Sequence, residues 1–91
     1  MNIQNIIKKL QKEGYRNIFV WSDKKGTYYD WHSHPYDEIR IMIKGEMRIN
    51  TKNETFRLKA KDRLDVAAGV EHEAYILDDC EYICALKPSS H

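Results

Sequence analysis

The spacing of apolar and polar positions changes once along the chain. Between residues 2 and 13, Ile3, Ile6, Ile7 and Leu10 recur at helical spacing while Lys8, Lys9, Lys12 and Glu13 occupy the other side. That pattern predicts a short amphipathic helix. Asn2 is placed to cap it and Gly14 to stop it. From Tyr15 onward the chain turns to short runs rich in Ile, Val, Tyr, Phe, Thr and Trp, broken by turn residues, the signature of strands. The runs predict strands over 16–22, 27–34, 38–44, 46–51, 54–59, 64–67, 71–77 and 80–86. Breaks fall at Asp23-Lys24-Lys25-Gly26, Pro35-Tyr36-Asp37, Gly45, Lys52-Asn53, Ala60-Lys61-Asp62, Ala68-Gly69 and Asp78-Asp79. Many short strands after one helix suit a closed or double-sheet barrel, so the fold class is all-β, with the helix laid over an edge or open end.

The chain of 91 residues is read as one domain: helix over 2–13, barrel over 15–87 and a frayed tail over 88–91 that includes His91. Lys and Arg number 15 against 14 Asp and Glu, a net charge of +1, which gives no electrostatic reason to expect nucleic acid or an anionic membrane as partner. No apolar stretch is long enough to span a bilayer and no leader-like segment opens the chain, so a cytoplasmic location is expected. Cys80 and Cys84, read on one strand, would have Cα atoms about 13 Å apart at roughly 3.3 Å per residue. That exceeds disulfide reach and suggests free thiols in a reducing compartment.

The candidate chemistry lies in the histidines. His32 and His34, two apart on a strand, leave the same face with Cα atoms about 6.6 Å apart. Glu38 would stand about 13 Å beyond His34 on an extended chain, so Pro35-Tyr36-Asp37 must turn it back. His72 opens a later strand just past Ala68-Gly69. A lone histidine is ordinarily a polar strand residue, but three imidazoles and a carboxylate buried together need a partner. The set suits one divalent ion of Fe, Mn, Ni, Co or Zn, with up to two positions open for water, substrate or dioxygen.

Alternation beyond Glu38 places Arg40 and Met42 on the ligand face, with Ile39, Ile41 and Ile43 on the other. The same parity turns Tyr28, Asp30, Ala74, Ile76, Cys80, Tyr82 and Cys84 toward the site and Tyr29 and Trp31 away. Arg40 is positioned to grip a carboxylate or enediolate oxygen of a chelated substrate, or else to pair with Asp30 or Glu38. The opposite row is too apolar for a solvent face. It calls for cover by the helix, a second sheet or a second copy of the chain, and a homodimer is expected.

The segment His32-Ser33-His34-Pro35-Tyr36-Asp37-Glu38, six further residues and Gly45 resembles the first cupin motif, HxHxxxE followed by six residues and G. The stretch from Lys61 to His72 is similar to the second, GDxxxxPxGxxH: Asp62, Gly69 and His72 agree, while Lys61 and Ala67 replace its glycine and proline. Those departures bear on the turn before His72. The resemblance implies a cupin double-stranded β-helix, or jelly roll, with the metal on His32, His34, Glu38 and His72 and pairing through its sheets. Glu38-Ile39-Arg40 after the HxH pair is also similar to the acireductone dioxygenases, implying that Arg40 helps hold a chelated substrate. The functions in view are a metal-dependent enzyme (dioxygenase-like, isomerase or lyase) on a small oxygen-rich substrate, a non-catalytic module that binds or senses a small molecule or metal, and a metal used for stability alone. No pair of DNA-reading helices is present to make the chain a repressor by itself.

Overall fold

The apolar stripe near the start forms a helix, α1, over Ile3–Lys12, with the Asn2 side chain accepting from the Asn5 backbone N–H at 3.1 Å. Gly14 ends it at φ +94°, a conformation that costs glycine nothing. The rest of the computed structural model, which describes residues 2–88, is strand and turn. The strands are β1 Arg16–Asp23, β2 Tyr28–His32, β3 Tyr36–Thr51, β4 Thr55–Leu58, β5 Arg63–Val66 and β6 His72–Pro88. No described helix is long and apolar enough to cross a membrane.

Two of these strands are long. β3 runs for 16 residues and β6 for 17, each joining two of the expected strands. Gly45 and Asp78-Asp79 are therefore not turns, as the sequence reading had them, but the places where long strands bend. Pairing between β3 and β6 slips at Met42/Lys44, Lys44/Glu46 and Glu46/Met47, and such bulges bend and twist a strand. Gly45 makes the bend possible. It stands at φ +85°, and a Cβ there would collide with the Asp79 carbonyl and lie 2.6 Å from Cys80 Cα.

The bend folds one antiparallel sheet of order β1-β6-β3-β4 into two layers. In the first layer the N-terminal half of β3 lies between β5 and the C-terminal half of β6, with β1 at the edge. In the second, the C-terminal half of β3 lies between β4 and the N-terminal half of β6, with β2 beyond. Met42, Met47, Ile49, Leu58, Ala74, Ile76, Cys80 and Tyr82 come from both layers and pack as one core, so the layers face each other as in a jelly roll.

The outer face of the first layer carries the row Ile39, Ile41 and Ile43, and its cover is the chain's own helix. Leu10 and Tyr15 join Ile39, Ile41, Ile83 and Ala85 in a second buried cluster, with Ile3, Ile6, Ile18 and Ile43 against it. Of the other two residues assigned to that row, Trp31 does face away from the site but Tyr29 does not, because the pairing of β2 with β6 shifts by one residue between Tyr29 and His32. The extra residue reverses the parity. Tyr29 packs inward against the core. Tyr28 faces out, its hydroxyl donating to Glu73 at 2.7 Å, and Trp31 is exposed beneath the Lys52 ammonium, 3.8 Å from its ring centre. Pro88 ends β6, and the remainder of the expected tail, Ser89 to His91, lies outside the described residues.

Candidate metal centre

His32 closes β2, and the chain leaves the sheet for Ser33 and His34 before Tyr36 opens β3, so the turn toward Glu38 begins at His34 itself. His72 opens β6 directly opposite His32. Between β5 and β6 the turn holds without the motif's proline. Val70 N–H donates to the Ala67 carbonyl at 3.2 Å, and Gly69 takes φ +82°, the arrangement of a type II turn with glycine third. Gly69 N–H donates to the His34 carbonyl and Ala68 N–H to the Asp37 carboxylate, both at 2.8 Å. The loop carrying one histidine is thus tied to the loop carrying another.

The three imidazoles meet, with one nitrogen of each within 4.8 Å of the others. Their tautomers follow from their neighbours. His72 Nδ1 stands 3.0 Å from the Val70 carbonyl and His32 Nδ1 2.6 Å from the Asp30 carbonyl. A carbonyl only accepts, so each Nδ1 carries its proton and each Nε2 keeps a lone pair for the site. His72 is 1% exposed and its Nε2 has no hydrogen-bond partner. Burial holds its pKa below the ordinary histidine value; the Val70 carbonyl opposes this, while His32 and Arg40 add to it. The neutral, metal-ready form is favoured. Tyr36 stacks on His34 at 4.9 Å between ring centres and so fixes that ring.

Glu38 stands beside the three imidazoles rather than among them. Its Oε2 is 3.1 Å from His34 Nε2, close to the spacing of about 3 Å between neighbouring donors of one octahedral ion with bonds near 2.1 Å. Its Oε1 lies 2.7 Å from Arg40 Nη2, a charge contact off the line of a hydrogen bond. Arg40 faces the site as expected, and of its two foreseen partners it takes Glu38. An orphaned buried nitrogen, two lone pairs turned toward a third imidazole and an adjacent carboxylate fit a divalent transition metal ion.

The family model of the cupin domain matches residues 19–85. The chain belongs to the cupin family. No curated protein matches it. Several solved structures resemble it along most of its length. A conserved protein of unknown function from Streptococcus pyogenes is 27% identical, with TM-score 0.71, over 80% of this cupin and 65% of that chain. This cupin therefore spans about two thirds of that protein's length. A cupin-2 domain protein from Shewanella frigidimarina is 18% identical, with TM-score 0.70, covering 98% of this chain and 94% of that one. A predicted oxalate decarboxylase from Thermotoga maritima is 19% identical, with TM-score 0.72, covering 90% and 74%.

Beside the histidines a cavity of about 350 Å³ opens, lined by His32, His34, Glu38 and Arg40 and by aromatic side chains. Tyr82 and Cys84 line it as the strand parity indicated. Burial pushes the Cys84 thiol up to about 11 and also raises that of Cys80, so both cysteines, which are free, stay protonated at neutral pH. Sequence reasoning missed Phe19, Trp21, Tyr29 and Tyr36 as lining residues. It also missed Asp23, whose carboxylate accepts from Tyr82 at 2.6 Å, Tyr29 at 2.8 Å and Trp21 Nε1 at 3.2 Å. Asp23 begins a Lys-Lys-Gly turn, and nothing in that local context distinguishes a structural aspartate from an ordinary turn residue.

Proposed function

We propose that the protein binds one divalent transition metal ion (Fe, Mn, Ni, Co or Zn) through His32, His34, His72 and Glu38, and acts on a small oxygen-rich molecule bound beside it. The reading rests on one observation: two imidazoles turned by backbone carbonyls so that their free nitrogens meet a third histidine, one of them buried without a partner. Glu38 completes the set by a small rotation from its place against His34. A bound ion would supply Lewis acidity, polarising a carbonyl or enediol oxygen. Arg40 supplies a buried cation at the same end of the cavity, positioned to hold an anionic oxygen of the substrate. Dioxygenase-like, isomerase and lyase chemistry all use that arrangement.

A second reading, a module that binds or senses a small molecule or metal without turnover, is favoured by the pairing of the lining groups. Tyr29 and Tyr82 donate to Asp23, Glu38 is engaged by Arg40, and Cys84 is protonated. None of these stands ready as a free acid or base. In either reading we place the protein in the cytoplasm as a homodimer, with the edge strand β1 and its exposed Val20 available for pairing.

Metal analysis of protein purified without an affinity tag tests the proposal. We expect about one equivalent of ion per chain in the wild type and near loss of it in His34→Ala and His72→Ala, since removing one ligand of a tuned set lowers affinity at least about 10- to 100-fold. Equal metal content in all three proteins would defeat it. Oxygen uptake and product formation across small hydroxy- and oxo-acids separate the enzyme from the binding module.

A further inference from the structure

The cavity changes character along its length. Its inner end holds His32, His34, Glu38 and Arg40, and its mouth is formed by the inner face of β1. Phe19 pairs with Cys84 and Trp21 with Tyr82, so both rings lie on the face that looks into the barrel. They nevertheless remain 47% and 49% exposed. The two rings meet edge to face at 6.0 Å, and Asp23 holds the Trp21 indole on one side of its carboxylate and the Tyr82 hydroxyl on the other. The aromatic shelf is therefore preformed, as small-molecule sites commonly are.

At the inner end Arg40 is 8% exposed and only partly satisfied. Glu38 faces Nη2, Nη1 has only the Met47 sulfur at 3.8 Å, and Nε has no partner. A guanidinium carries five N–H donors in a flat fork, and a buried one with donors left over is a receptor for a planar anion. A dianionic phosphate would set two charges against one guanidinium already shared with Glu38. A carboxylate brings one charge and the matching flat geometry.

Building on the metal-centre reading above, we infer that the cavity takes a small carboxylic acid bearing an aromatic or similarly flat apolar group. The carboxylate sits at Arg40 and the imidazoles, and the flat group lies against Phe19 and Trp21. Covering that shelf removes apolar surface from water and adds ring–ring contact.

Calorimetric titration of the metal-loaded protein with benzoate, acetate and benzyl alcohol tests this. Benzoate should bind, with acetate weaker by at least about tenfold for want of the ring, and benzyl alcohol weaker by a similar factor for want of the charge. Phe19→Ala and Trp21→Ala alter exposed side chains, so their folding is secure. Each should bring benzoate down toward acetate and leave acetate unchanged. Arg40→Gln should abolish the advantage of benzoate over benzyl alcohol, with circular dichroism confirming its fold. Equal binding of acetate and benzoate, or indifference of benzoate to both shelf variants, overturns the inference. So does a sedimentation result in which the shelf variants dissociate an oligomer while benzoate binding persists, which would make the shelf a contact between copies. A parallel Zn(II) titration keeps the two readings apart. Failure to bind Zn(II) sinks the metal centre, whereas Zn(II) binding without benzoate preference sinks this inference alone.

Discussion

Lys61 stands at φ +78°, where a side chain crowds the following carbonyl and costs about 1 kcal/mol or more. The position is fixed by its neighbours. Lys61 N–H donates to the Met42 carbonyl at 2.8 Å, Met42 N–H returns a bond to the Asp62 carbonyl at 2.9 Å, and Asp62 N–H closes on Lys59. The second cupin motif has glycine here, so the lysine departs from the pattern while the backbone keeps the conformation. Lys61→Gly should therefore stabilise the protein by about 1 kcal/mol, read as a higher urea midpoint at unchanged slope. Lys61→Ala, which removes the charge and keeps the Cβ, should be close to neutral. Gly45 is the converse case. Gly45→Ala meets both a positive φ and the backbone of Asp79 and Cys80, and should cost about 3 kcal/mol or leave the chain unfolded. The meeting of His32, His34 and His72, with Glu38 beside His34, was legible in the sequence because their spacing survives as motif. Asp23 and the aromatic shelf were not, because they depend on which strand lies across from which.

At the scale of elements, the alternation was readable but the joints were not. Glycine at 45 and the aspartate pair at 78–79 carry the same backbone freedom in a bulge as in a reversal, and only the partner strand decides between them. The unseen bulge in β2 likewise inverted Tyr28, Tyr29 and Asp30, and left Trp31 facing away from the site as expected. The helix was read correctly, and the apolar row it covers gives it its stability. Leu10 is 1% exposed at the centre of that contact, and Leu10→Ala should destabilise the whole protein by about 2–5 kcal/mol. Polar bonds pin the helix end and the chain after it to β5. Tyr15 donates to Asp65 at 2.9 Å, and Arg63 bridges Asp65 at 2.8 Å and Glu13 at 3.2 Å. Arg63 holds the Asp65 carboxyl below its ordinary 3.8, with Tyr15 helping and burial opposing. A depressed folded value stabilises above the unfolded pKa and loses that stabilisation as pH falls through the folded one. The gap in urea midpoint between the wild type and Asp65→Asn should thus be full at pH 5 and close as the solution is taken well below 3.8. A gap that does not change with pH would show that the carboxylate charge contributes nothing.

The molecule as a whole places a polar cluster at one end of an otherwise apolar interior. Met42, Ile49, Ala74 and Ile76 fill the space between the layers, while His72, Arg40 and Glu38 occupy the end beside the cavity. An imidazole nitrogen buried without a partner is a cost that only the folded state bears. An ion bound there is stabilising in the folded state alone, because the unfolded chain does not hold its ligands together. At a free ion concentration a hundred times the dissociation constant, linkage adds about 2.7 kcal/mol. For a domain of this size each kcal/mol is worth about 4–8 °C, so Zn(II) or Co(II) should raise the melting temperature by more than about 10 °C over chelated protein. The shift should grow linearly with the logarithm of free ion concentration. In His72→Ala it should shrink to near nothing, even though that variant also removes the orphaned nitrogen and leaves the apolar core untouched. Melting curves that ignore both the ion and the chelator would mean that the histidines meet for some purpose other than coordination.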